Sequence, residues 1–511
     1  MKKIFLAVVT LVMLYNPSFA SDGKPKVIVN VIVDALRNDD LIRYTKNFST
    51  SGFRKMMDKG SVIENAQYRD IPNKPMVSGA TIITGSWPRQ HGIVGDFWYL
   101  NGADKLTGAI TIAKDTAYTV PLYSIIDKIK YFSPQSKVVS IGVEPKSAII
   151  CGDSNNDRVI WLDDLSGKWI TSKGKDVSPW WLTTLNEGKT KGRYINTLMM
   201  PSFSKVDYIN KQSTTLFSQV KHSKSENTGR ALLESPFCNS YLNDCLSSLL
   251  VFDTIGKDTI CDFLTINYGY ARFAYKKYGS KSMEVEDMYY KLDNDISRLI
   301  SMLDTEVGKG EYILIFTAAS GASESVEGVV NETRIRVLTN AFLNTQYGIA
   351  DWVVGYRNGQ IYLNHKTIYN KKIGLDVIQD AVASFVLKFD GVENAMTASA
   401  LMRNSFTTGV EEDIYNSFNA PASGDVMVVL KPNWISLPNG DTTKDKASFE
   451  NPYQNTISVP LFIYGKGIKA GKVYDEFNMT DIAPTIADIL GISRPEKSVG
   501  KSFYNNIRYD N

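Results

Sequence analysis

Residues 27–33 read Val-Ile-Val-Asn-Val-Ile-Val and run straight into Asp34. A short run that is apolar on both alternating faces is the pattern of a strand buried on both sides, as in parallel sheets covered by helices. The same texture returns at 138–143, 263–266, 312–316, 426–430 and 459–464. Helical stretches fall between these runs, at Phe53 to Lys59, Pro121 to Lys130 with its proline in the first turn, Glu284 to Leu303, and Asp481 to Leu490 opened by Thr480 or Asp481. The pattern predicts an α/β fold with a central, mostly parallel sheet flanked by helices. Functional side chains in such sheets collect at the carboxyl ends of the strands. That rule points to Asp34, Glu144, the segment Gly269 to Lys276, and Thr317 to Gly321. Between about 150 and 235 the sequence turns to Ser, Lys, Asn and Trp without strong periodicity, as expected of an inserted cap.

A chain of 511 residues with 43% hydrophobic and 22% charged residues is too apolar for a disordered protein. Lys+Arg 57 against Asp+Glu 54 leaves a net charge of only +3, and no Lys/Arg-rich run stands out. Nucleic acid is therefore not an expected partner. At the amino end Lys2-Lys3 precede an apolar stretch from Ile4 to Tyr15 and then Ser18-Phe19-Ala20, the plan of a signal peptide cleaved near Ala20. The apolar stretch is shorter than the roughly 20 residues a membrane span needs. The predicted mature protein, residues 21–511, is periplasmic or secreted, with no membrane span. Four cysteines make no disulfide framework. Cys238 and Cys245 would lie about two turns apart in one helix, so Cys245 with Cys261 is the expected pair.

The strand-end segments resemble a known family. Val33-Asp34-Ala35-Leu36-Arg37, then Thr84-Gly85-Ser86-Trp87-Pro88-Arg89-Gln90-His91-Gly92-Ile93, then Gly95-Asp96-Phe97-Trp98-Tyr99, are similar to the opening of the alkaline phosphatase superfamily. The nearest branch is that of secreted bacterial monoesterases with a threonine nucleophile, related to the type I nucleotide pyrophosphatase/phosphodiesterases. The likeness continues in order through Gly167 to Ser172, Ser235 to Asn239, Asp262-Phe263-Leu264, Gln360 to His365, Gly424-Asp425-Val426, Val459-Pro460-Leu461 and Asp481 to Thr485, spanning nearly the whole mature chain.

The resemblance implies a site with two zinc ions, each held by Asp and His, and a Thr or Ser between them that attacks phosphorus. Carried over position by position, the first Asp ligand is retained as Asp34. The nucleophile position is Pro75, which has no hydroxyl. The Asp and His of the second metal pair fall on Arg272 and Lys276. The family's Thr-Ala-Asp-His-Gly reads Thr317-Ala318-Ala319-Ser320-Gly321, and the last His aligns near Phe449. Phosphate-contacting positions read Asp96, Glu144 and Lys146, two of them carboxylates where an anion would dock. Three histidines are needed as ligands, yet the chain holds only His91, His222 and His365, none at a ligand position.

Other assignments compete. Ser78 or Thr81 could stand in for the nucleophile, but each is displaced along a helix from Pro75. Ser320 with Thr317 lacks both a neighbouring His and a nucleophile elbow. Trp180-Trp181 suits packing better than a sugar platform, and the acidic run Glu284 to Asp287 suits a helix amino terminus. The expectation is a pseudoenzyme of the cell envelope, without zinc or other cofactor, that binds or scaffolds an envelope protein or glycan; the alternative is a phosphomonoesterase/phosphodiesterase-type hydrolase with a rebuilt, metal-poor site. The vacated metal space is expected to hold one or both of Arg272 and Lys276, paired with Asp34 or Asp96.

Overall fold

The computed structural model describes residues 23–509 except 72–73, 101–104, 114–115, 153–154, 173–177, 196, 213–227 and 441. The proposed signal peptide and His222 therefore lie outside the described residues. In chain order the strands that build the two main sheets are β1 Val27–Val33, β2 Ser61–Gln67, β3 Val138–Gly142, β4 Arg158–Leu162, β5 Trp169–Thr171, β6 Asp262–Tyr268, β7 Tyr312–Ala318, β8 Val353–Arg357, β9 Gln360–Leu363, β10 Val392–Thr397, β11 Val426–Leu430, β12 Leu461–Gly465 and β13 Gly471–Asn478.

Nine of them form one sheet in the order β13-β2-β12-β7-β1-β6-β3-β4-β5. The run quoted first lies at its centre: β1 pairs in parallel with β6 and β7, and every one of its seven residues is buried. β3 continues the parallel set beside β6, and β4 beside β3. β12 breaks the pattern, pairing antiparallel with both β7 and β2. Among the described residues no helix is long and apolar enough to cross a membrane.

Several expectations need correcting. Val426 to Leu430 is a strand, but it belongs to a separate four-stranded antiparallel sheet in the order β8-β9-β11-β10. That sheet has its own core around Trp352, Ile361 and Val382. An apolar run names a buried strand without naming its sheet. The cap boundary near 150 runs through structure that belongs to the main body, because β4 and β5 extend the central sheet. The helix expected from Pro121 begins at Ile125, where Ser124 Oγ accepts the Ile126 N–H at 3.2 Å and Asp127 returns a bond to the Ser124 N–H at 3.1 Å. This reciprocal cap outweighs the proline as a start signal. Asp481 precedes its helix, Ile482–Leu490, and its carboxylate accepts the N–H groups of Asn478 (2.9 Å) and Lys501 (2.7 Å). All four cysteines are free thiols, so Cys245 and Cys261 are not bridged.

The acidic run is more than a favourable helix end. Glu286 and Asp287 are buried at the start of the helix Met283–Leu303 and hold the segment 202–210 against it. Glu286 accepts the N–H groups of Ile209 (2.8 Å) and Asn210 (2.7 Å) and the Tyr290 hydroxyl (2.6 Å). Asp287 accepts the Ser202 N–H at 2.7 Å and the Tyr208 hydroxyl at 2.5 Å, and pairs with Lys291. Hydrogen bonds to a charged acceptor are worth about 1.5–3 kcal/mol each. Glu286→Gln, which keeps the shape and discards the charge, should destabilise by roughly 2–3 kcal/mol. Amide exchange should rise at Ile209 and Asn210. Denaturant melts and exchange mass spectrometry check this, and unchanged exchange there would show that the tether lies elsewhere.

A second junction joins the main body to the helix Gly409–Ser417, which packs beside the smaller sheet. Asn416 Nδ2 donates to the Arg69 carbonyl at 2.6 Å, and the Ile71 N–H donates to Ser417 Oγ at 2.8 Å. Between these two bonds lie the buried carboxyls of Asp70 and Asp413, each with one oxygen that has no hydrogen-bond partner.

Candidate functional site

The carboxyl ends of β1, β3 and β6 open into a cavity of about 410 Å³. Asp34, Glu144, Ser147, Asn267, Lys74 and Arg272 line it. Three of the four expected strand-end segments therefore meet. The fourth, after β7, does not line this cavity. There the Ala319 N–H donates to the Val33 carbonyl at 2.7 Å and the Ser320 carbonyl accepts the Leu36 N–H at 2.8 Å, locking the segment to the end of β1.

Asp34 is placed by a sharp turn. Gly269 follows β6 where a Cβ would come within 2.3 Å of Val143, and Tyr270 takes a left-handed φ of 71°. A bulky residue in that region stores backbone strain and is usually found at functional sites. The turn starts the helix Ala271–Tyr278 so that the Arg272 N–H donates to Asp34 Oδ1 at 3.1 Å. Burial raises the Asp34 carboxyl to about 7, the amide and charge of Arg272 pull it down, and Glu144 adds to the rise. This carboxyl therefore changes protonation near neutral pH.

The cations do not sit as expected. Arg272 meets Asp34 through its backbone, while its guanidinium stacks over the Phe449 ring at 4.2 Å and lies 3.7 Å from Glu450. Lys276 pairs with Asp445 at 3.2 Å, and Asp96 is taken by Lys146 at 2.8 Å. Glu450 explains the difference: it binds Lys74 at 2.7 Å as well, so one carboxylate gathers two cations on the cavity wall.

The proposed hydroxyl replacements are committed elsewhere. Pro75 is the first residue of the helix Pro75–Thr84, where a missing N–H costs nothing. Ser78 Oγ, one turn on, donates to the Ala319 carbonyl at 2.6 Å and is buried. Thr81 Oγ1 donates to the Val77 carbonyl and faces His91 Nε2 at 3.2 Å. The His91 Nδ1 accepts the Ile93 N–H at 3.0 Å, and burial lowers this imidazole to about 3, so it stays neutral. His365 holds Asp425 at 2.8 Å within the smaller module. Trp181 is buried with its Nε1–H on Asp253 at 2.8 Å, while Trp180 is exposed and packs edge-on to Phe252.

At the six positions where the resemblance places zinc ligands stand Asp34, Arg272, Lys276, Ala319, Ser320 and Phe449. Two are cations, two are hydrocarbon and one is a neutral hydroxyl, so this donor set does not fit a pair of zinc ions. Among the described residues no group of three or more His, Cys, Asp or Glu is placed to hold a metal.

A family model of type I phosphodiesterase / nucleotide pyrophosphatase matches residues 28–452. The chain belongs to this family. Within the alkaline phosphatase superfamily, this phosphodiesterase-family chain is 27% identical to alkaline phosphatase PafA of Elizabethkingia meningoseptica, over 94% of each chain. It is 25% identical to alkaline phosphatase PhoV of Synechococcus elongatus, over 94% of this chain and 92% of that one. The crystal structure of wild-type PafA shares the fold with a TM-score of 0.83 at 24% identity, covering 94% of this chain and 98% of that one. The expectation of a non-catalytic binding or scaffolding protein is corrected here. Relatives matched along nearly their whole length are named alkaline phosphatases, which favours phosphoester hydrolysis for this family member.

Lys74, Ser147 and Asn267 were not singled out by sequence. A polar Asn just before the last residue of the apolar-rich β6 and a Lys directly before Pro75 were the available signals.

Proposed function

We propose that the protein is a phosphomonoesterase/phosphodiesterase-type hydrolase with a rebuilt, metal-poor active site in the strand-end cavity. The observation that carries this reading is the gathering of Lys74 and Arg272 by Glu450 on the wall of the cavity that holds Asp34. Phosphoryl transfer needs mainly positioning and positive charge around the equatorial oxygens, and fixed cationic side chains supply both. The Phe449 ring holds the Arg272 guanidinium in one plane, which makes it a preorganised donor. Asp34 holds a proton near neutral pH and is suited to pass it to the departing oxygen. Arg230 and Leu233 also line the cavity, which supports the part of the segment that follows β5 as a cap over the substrate. The charged-apolar-small pattern of residues 1–20 supports a periplasmic or secreted setting.

A panel of phosphate monoesters and diesters, assayed with and without a metal chelator, tests the reading. Turnover that survives chelation is expected. Arg272→Ala should lower it roughly 100- to 1000-fold, the usual cost of removing one preorganised donor. Turnover lost on chelation, or absent against every ester, would defeat the proposal.

A further inference from the structure

We propose that Ser147 is the nucleophile of this pocket, that Glu144 receives its proton, and that the side-chain amide of Asn267 donates to the phosphoryl group. This rests on the hydrolase reading above and names the residues that would carry it out.

Ser147 is a cavity-lining hydroxyl on an aliphatic side chain, whereas Ser78 and Thr81 donate to backbone carbonyls inside their own packing. Its Oγ donates to Glu144 Oε2 at 2.8 Å, within the reach a general base needs. Glu144 is exposed to the cavity and precedes the helix Pro145–Gly152, with Ser147 in its first turn. Helix capping alone would explain that one bond. It would not explain Asn267. This residue is 5% exposed and lines the cavity, and its Nδ2 has no hydrogen-bond partner. A buried donor left unpaired costs about 1–3 kcal/mol, which an acceptor arriving from the cavity would offset. The Asn267 Oδ1 accepts the Cys151 thiol at 3.7 Å, and Cys151 lies one turn after Ser147 in the same helix.

In the first step the Ser147 Oγ–P bond forms and the bond from phosphorus to the leaving oxygen breaks. The Ser147 proton passes to Glu144, and the leaving oxygen takes the proton held by Asp34. In the second step a water oxygen bonds to phosphorus and gives its proton to Asp34. The Oγ–P bond breaks, and Ser147 recovers its proton from Glu144. Both carboxyls end as they began, and one water is consumed.

The test mixes the full mature chain with 4-nitrophenyl phosphate and with bis(4-nitrophenyl) phosphate, quenches in acid and maps phosphorylated peptides by mass spectrometry. The expected result is a phosphoryl group on Ser147. Ser147→Ala and Glu144→Gln should each lower turnover by roughly 100-fold or more, with unchanged circular dichroism and melting temperature. Asn267→Leu should weaken inhibition by inorganic phosphate. Turnover retained in Ser147→Ala, or an adduct on another residue, overturns this assignment and leaves the hydrolase reading standing. Wild-type protein with neither adduct nor turnover overturns both.

Discussion

Asp34→Asn should lower kcat/KM for alkyl phosphate esters by roughly 100- to 10000-fold at pH 6, the span that general acid catalysis supplies. For nitrophenyl esters the loss in kcat/KM, which reports transfer to Ser147 and not the later hydrolysis in which Asp34 takes the water proton, should be small. The two classes differ only in whether the leaving oxygen needs a proton, and the Asp34 carboxyl, raised to about 7 mainly by burial, carries one at that pH. Asparagine keeps the oxygen that accepts the Arg272 N–H, so the turn after β6 should survive. In the wild type, kcat/KM for alkyl esters should fall with rising pH above about 7, as this carboxyl ionises. The Asn variant should show no such limb. Paired pH profiles of kcat/KM on the two ester classes decide the matter, and equal losses in kcat/KM on both would mean that Asp34 acts on something other than the leaving group.

The second large effect is on stability. Asp70 and Asp413 are buried at the junction with the helix Gly409–Ser417, each with an oxygen that no donor reaches. Burial raises Asp70 to about 7 and Asp413 to about 8; Arg69 lowers the latter, while Asp70, Glu412 and Glu411 add to its rise. Both values lie above the 3.8 of a free carboxyl. Between that value and the folded one, the native state binds protons that the unfolded state has released. The slope of unfolding free energy against pH is therefore negative. The stabilising contribution is complete below about pH 4 and disappears as pH rises through 7 to 8. Asp413→Asn, uncharged at every pH, should raise stability by roughly 5–6 kcal/mol at pH 9 and by little at pH 4, at about 1.4 kcal/mol per pKa unit. Urea melts at the two pH values measure this. A variant destabilised at pH 9 would show that the ionised carboxylate has a partner, such as a bound cation.

The central sheet was legible because its strands are buried on both faces, so Val27 to Val33 and Tyr312 to Phe316 announce themselves without help from periodicity. Membership of a sheet was not legible. Val426 to Leu430 looks like β1 in composition and lies in another layer, because only long-range pairing separates them. At the site, Asp34 and Glu144 could be placed from the strand-end rule alone. The partners of Arg272 could not, since Glu450 and Phe449 reach it from the far end of the chain. Ser147 escaped notice because a serine in a first helical turn is ordinary. Asn267 becomes informative only once its neighbours are known and none of them accepts from it.

The triangle of Lys74, Arg272 and Glu450 also constrains the routes by which this site could change through single substitutions. Returning Arg272 to the aspartate of its relatives' pattern would set two carboxylates facing one another, with Lys74 left to neutralise both. Returning Pro75 to threonine would add a hydroxyl beside a site still without the ligands that the pattern uses to activate it. Neither step taken alone brings a gain, which arrives only after several have accumulated. A lineage that has crossed to a cation-lined pocket therefore faces an uphill path back. A directed-evolution experiment seeking metal dependence in this scaffold should start by replacing residues 74, 272 and 450 together.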